Sequence, residues 1–149
     1  MNNLQHAIGR NLVFTAKALR AAFEETLAAN GGSLGTWIVL NALSDVGCVS
    51  QAALATYVHL EGATITHHID RLESLGLVRR LADPDDRRVR LLELTEAGGE
   101  LYKRLLTAAM EFEIEALAGV TAEDRAVLQG ALDQIQSNIA ARNGQPSAA

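Results

Sequence analysis

Thr64, His67 and Arg71 stand three and four residues apart within a stretch of helical periodicity, so they share one helix face. Ile65, Ile69 and Leu72 recur on another face of the same stretch. A short hydroxyl and an imidazole near a helix N-terminus reach the edges of bases, and an arginine one turn further on suits a phosphate. An ordinary solvated helix face carries the same residue types. Downstream, Arg79, Arg80, Arg87, Arg88 and Arg90 fall within twelve residues, interleaved with Asp83, Asp85 and Asp86. From Gly62 to Thr95 six arginines balance six carboxylates, while the rest of the chain carries seven basic and twelve acidic residues. A neutral head on an acidic body favours orientation on a polyanion and gives only modest non-specific affinity. Asp86 and Arg88 fit a surface ion pair in a turn, in which the carboxylate fixes an arginine that contacts the polyanion.

These residues need a scaffold, and the apolar periodicity supplies one. Leu4, Ile8, Leu12, Leu19, Phe23 and Leu27 form a stripe on one long helix, which Asn30, Gly31 and Gly32 end. A second helix holds Trp37, Leu40 and Leu43. Ser50 caps a short third helix over 51–58, with Leu54, Tyr57 and Val58 expected to face inward. After a turn at 60–62, a fourth helix spans 63–75 and stops at Gly76. The period then switches. Residues 77–81 and 89–94 read as strands around a long charged tip containing Pro84, a β-hairpin. Thr95 caps the next helix, with Leu101, Leu105, Phe112 and Leu117. Thr121 and Asp124 resemble a capping box before a final helix carrying Leu128, Leu132, Ile135 and Ile139. Residues 143–149 are expected to form a flexible tail.

Three helices followed by a hairpin make a winged helix-turn-helix, the arrangement that seats its fourth-helix face in the major groove. The expected fold class is mainly α with a small β-hairpin wing. The core spans 34–95, and flanking segments 4–30 and 96–142 serve as dimerisation helices within one domain, 1–149. The chain has 149 residues, 48% hydrophobic and 21% charged, with a net charge of −5. That balance excludes a disordered tail, a collagen-like repeat and a disulfide-stapled scaffold. Any nucleic-acid contact must come from a local patch. Met1 to His6 lack the order of a signal peptide, and polar residues interrupt the uncharged run 26–44, so a cytoplasmic chain with no membrane association is expected.

The run from Asp83 to Gly98, with Pro84, Asp85, Asp86, Arg87, Arg88, Thr95 and Ala97, resembles the wing signature of the MarR family of transcriptional regulators. The preceding run Thr64 to Val78 resembles that family's recognition helix and first wing strand. The resemblance implies that Asp86 and Arg88 are the wing pair whose arginine enters the minor groove, and that Thr64, Thr66 and His67 lie where bases are read. His67 departs from the arginine or other residue often found there. It further implies an obligate homodimer through both chain ends, binding double-stranded DNA at a pseudo-palindromic operator. A small aromatic or anionic effector would sit where the dimer helices meet the DNA-binding lobe, with Trp37 lining that pocket. Arg10 and Lys17 are weaker partners for an anion. The function so implied is a repressor relieved by a ligand.

Other signals lead away from chemistry. Cys48 cannot form an intramolecular disulfide and is expected to pack inertly among apolar neighbours. The four histidines lack metal-ligand spacing, and His68, three residues after Ile65, is expected at the core edge. No cofactor, metal motif or nucleophile elbow is present, so no enzyme is expected. The rival reading is an acidic winged-helix module that binds a protein partner without DNA.

Overall fold

The computed structural model describes residues 3–142, with side chains from Ala7 onward. The side chain of Leu4 and the expected tail 143–149 lie outside the described residues. The chain divides into two compact units, 1–113 and 114–149.

In the first unit, α1 (Asn3–Ala29) ends where Gly31 takes φ +83°, and the Gly32 amide bonds back to the Leu27 carbonyl at 2.9 Å. The Ser33 hydroxyl accepts from the Thr36 amide and starts α2 (Leu34–Val46). Ser50 caps α3 (Gln51–Tyr57) by accepting from the Ala53 amide at 3.2 Å, as its position predicts. After a short turn, α4 (Gly62–Ser74) buries Ile65, Ile69 and Leu72, the spacing of one helical face. The wing follows as β2 (Val78–Ala82) and β3 (Arg90–Leu94), antiparallel, with Arg80 opposite Leu92 and Ala82 opposite Arg90.

A strand that periodicity did not reveal, β1 (Val49–Ser50), pairs with the far edge of β3, so the sheet order is β1-β3-β2. Two residues, the second of them the cap of the next helix, offer no alternation to read. The Thr95 hydroxyl donates to the Gly76 carbonyl at 2.6 Å and accepts from the Gly98 amide at 3.0 Å. It therefore caps α5 (Glu96–Ala116) and fastens the foot of the wing to the end of α4.

Leu27, Leu40, Leu54, Ile65, Ile69, Leu72, Leu92 and Leu105 are fully buried, so α1, α2, α3, α4, α5 and the sheet share one core. Among the described side chains of α1, only those of its C-terminal part join it. Ile8, Val13, Phe14 and Leu19 lie 43–67% exposed. Two inward expectations fail. Tyr57 is 49% exposed, and its hydroxyl donates to the Asp45 carboxylate at 3.2 Å, because Leu54 and Val58, four residues apart, define the inward face of α3 and Tyr57 lies about 100° round from Val58. Cys48 is exposed, lying in the loop beyond α2 rather than on an apolar face.

In the second unit, Thr121 accepts from the Asp124 amide and donates to its carboxylate, capping α6 (Ala122–Arg142). None of the residues of α6 is buried, and Leu128, Ile135 and Ile139 are exposed while Leu132 is half-buried. Among the described residues no helix is long and apolar enough to cross a membrane.

Candidate nucleic-acid interface

On α4 the buried Ile65, Ile69 and Leu72 fix which way every other side chain of the helix faces. Thr64, His67 and Arg71 consequently share the outer face, and all three are exposed. Thr66 stands apart from them, on the flank toward the wing. Its hydroxyl donates to the Gly62 carbonyl and accepts from the Gln51 side-chain amide, both at 2.7 Å. With its proton spent, Thr66 can meet a base edge only as an acceptor.

On the opposite flank, His68 lies half-buried against Gly35 of α2, where any Cβ would overlap the imidazole. Burial, then the positive charges of His67 and Arg71, hold its pKa below the ordinary value of 6.5. Its ring is 5.9 Å from that of His67. A groove of about 530 Å³ opens beside it, lined among others by Arg20, Glu24, Ser33, Thr64 and His68.

The wing tip is folded by its own aspartates. Asp83 Oδ1 accepts from the Asp85 amide at 2.8 Å, and Asp86 Oδ1 accepts from the Arg88 amide at 3.0 Å. Asp86 then grips the Arg88 guanidinium with both oxygens, each at 3.1 Å. Hydrogen bonds from the Arg88 side chain, then from its amide, depress the Asp86 pKa. Even so paired, the Arg88 side chain is 90% exposed, a cation held at the tip but still open to a ligand.

The hairpin arginines are not equivalent. Arg79 pairs with Glu93 across the two wing strands. Arg80 turns back from the wing to Asp70 and Glu73 on α4, with Gln51 of α3 at 3.5 Å. Burial works against its charge, but the hydrogen bonds to Asp70 and Glu73 outweigh it and raise its pKa. Among the described residues Arg71, Arg87 and Arg90 form no ion pair, and all three are exposed. Residue counting missed this partition. Its one sequence signal is Asp70 and Glu73, three apart on the helix preceding a basic strand.

Trp37 is half-buried and belongs to an aromatic row. It stacks on Tyr102 at 6.0 Å and 19°, and meets Phe23 edge-on at 6.1 Å. Phe112 lies 5.2 Å beyond Phe23, and the Tyr102 hydroxyl donates to Asn41 at 3.4 Å. Among the described residues no group of three or more His, Cys, Asp or Glu could hold a metal ion.

Comparison with known proteins agrees with this arrangement. The sequence pattern of the MarR family matches residues 33–89, from the start of α2 to the wing tip. The HTH-type transcriptional regulator YdgJ of Bacillus subtilis (strain 168) is 33% identical over 123 residues, covering 83% of this chain and 73% of that protein. The crystal structure of a probable transcriptional regulator from Pseudomonas aeruginosa superposes with a TM-score of 0.79 at 32% identity, over 89% of this chain and 99% of that one. Bordetella bronchiseptica BpsR, whose DNA binding is regulated by 6-hydroxynicotinic acid, superposes with a TM-score of 0.76 at 25% identity, over 87% of this chain and 98% of that one. Helix, wing and sequence together place this chain in the MarR family of winged helix-turn-helix, DNA-binding transcriptional regulators.

Proposed function

We propose that this protein is a cytoplasmic, homodimeric repressor that reads a pseudo-palindromic operator and releases it when a small aromatic or anionic effector binds; it is not an enzyme. The observation that carries the reading is the outer face of α4, with Thr64, His67 and Arg71 exposed beside a wing whose Arg88 is held ready by Asp86. Thr64 and His67 meet base edges in the major groove, Thr66 accepts from one, and Arg71 contacts a phosphate. Arg88 enters the minor groove. The intact arginine wing argues against a protein-interaction module without DNA.

Two-fold DNA reading needs a dimer with half-sites about 34–36 Å apart. The bare apolar residues of α1 and α6 support a second copy of this chain as their partner, with 4–30 and 96–142 as dimerisation segments around the core 34–95 of one functional domain. For the effector, Trp37 on Tyr102 offers a flat aromatic wall, and BpsR supplies the precedent of an aromatic acid that controls DNA binding. An effector would act by favouring a dimer whose two recognition helices are wrongly spaced for the groove. The test is footprinting across the intergenic DNA beside its gene. A protected two-fold site, lost when 6-hydroxynicotinic acid or another aromatic acid quenches the fluorescence of Trp37, supports the reading. No protected site and no salt-dependent binding would refute it.

A further inference from the structure

We infer that Arg80 does not bind DNA but is a positioning residue, which locks the rotation of the recognition helix about its own axis and keeps two carboxylates quiet beside the DNA. The inference rests on α4 being the reading element. On a helix of 3.6 residues per turn, Thr66, Asp70 and Glu73 form one flank, between the buried stripe and the outward face of Thr64, His67 and Arg71. Every member of that flank is tied to another element. Thr66 accepts from Gln51 of α3, while Asp70 and Glu73 take the two terminal nitrogens of Arg80 on β2. Gln51 also reaches Arg80, so α3, α4 and the wing are joined in one polar chain.

The other flank is held by His68 against Gly35. A helix gripped on both flanks cannot roll. Side-chain tips lie about 5–6 Å from a helix axis, so a roll of about 10° moves His67 by about 1 Å, enough to lose a hydrogen bond to a base. Arg80 is the least exposed of the ion-paired wing arginines, its side chain 22% accessible against 61% for Arg79 and 90% for Arg88. The cluster of Arg80, Asp70 and Glu73 carries a net charge of −1, so Arg80 serves the helix rather than the phosphates.

The experiment compares Arg80→Met, Arg80→Lys and the double variant Asp70→Asn/Glu73→Gln with wild type. Two probes are used: a duplex selected from random-sequence DNA by the wild-type protein, and a scrambled duplex of the same composition. Thermal unfolding checks that each variant folds; the double variant alters only exposed positions. Positioning predicts that the selected-over-scrambled affinity ratio falls at least tenfold in both Arg80→Met and the double variant, and that Arg80→Lys retains part of it. Affinity for scrambled DNA moves in opposite directions, down in Arg80→Met and up in the double variant, because the cluster goes to −2 and +1 respectively. The slope of log affinity against log salt stays at the wild-type value in Arg80→Met. A ratio unchanged within twofold in either variant overturns the inference. So does a slope reduced by about 0.9 per protomer, which marks a lost phosphate contact. A wild-type protein that selects no sequence overturns the reading of function itself, and that failure shows in the control before any variant is compared.

Discussion

Arg88→Ala isolates the wing tip. The side chain is 90% exposed, and among the described residues its hydrogen bonds and ion pair go to Asp86, so its removal leaves no cavity and no buried partner stranded. The thermal midpoint should stay at the wild-type value. On DNA the change is different in kind. Each arginine that neutralises a phosphate contributes about 0.9 to the slope of log affinity against log salt, so two wings contribute about 1.8. Between about 50 and 200 mM salt, wild-type affinity should therefore fall about tenfold further than that of the variant. The deficit at low salt should be largest on duplexes with A·T-rich sequence under the wings, where a narrow minor groove concentrates negative potential. Fluorescence-anisotropy titrations at three or four salt concentrations measure both quantities. Asp86→Ala is the internal control: it keeps the cation but removes the grip, so the slope persists while preference for A·T-rich flanks declines. An Arg88→Ala protein that folds normally and keeps the wild-type slope would show that the wing stays off the DNA.

Three further outcomes follow from the same geometry. His67→Ala and Thr64→Ala should each relax discrimination among operator variants by ~1–3 kcal/mol per lost base contact, whereas Arg71→Ala should weaken all sequences alike; competition titrations over single-base variants separate the two patterns. Leu132→Asp combined with Ile135→Asp on α6 should halve the sedimenting mass and abolish operator binding; an unaltered mass with intact affinity removes α6 from the dimer. His68 is held below its ordinary pKa of 6.5 by burial first, so the folded chain binds fewer protons than the unfolded one. Its contribution to stability is full above that value and is lost as pH falls through the folded-state pKa, so wild type should lose more thermal stability between about pH 7.5 and 5.5 than His68→Gln does.

Where periodicity is long, the sequence was a sufficient guide. Ile65, Ile69 and Leu72 announce the buried face of α4, and the caps at Ser50, Thr95 and Thr121 form as their types require. The errors fall where an element is too short for its pattern to speak. β1 has two residues, and its existence depends on the edge of β3 being free to pair, a tertiary fact. Tyr57 looked like one member of an inward triplet with Leu54 and Val58, but a helix of seven residues is too short to show which face turns inward, and Tyr57 falls beside it. Cys48 has apolar neighbours in sequence and solvent around it in space.

The site was legible as a set of residue types and illegible as an allocation. Six arginines against six carboxylates read as a neutral average, yet the fold distributes them unevenly. Arg79, Arg80 and Arg88 are matched with Glu93, with Asp70 and Glu73, and with Asp86. Arg71, Arg87 and Arg90 are left unpaired among the described residues and exposed. Pairing a carboxylate with a structural arginine removes it as a repulsive charge and fixes an angle at the same time. Four of the six carboxylates are spent on orienting Arg79, Arg80 and Arg88, so an acidic protein can present the unpaired Arg71, Arg87 and Arg90 to DNA without an excess of basic residues. Low net charge keeps non-specific affinity small, so discrimination must come from the angle at which a few side chains meet the bases. On that argument the carboxylates of the reading head contribute to specificity as much as its arginines do.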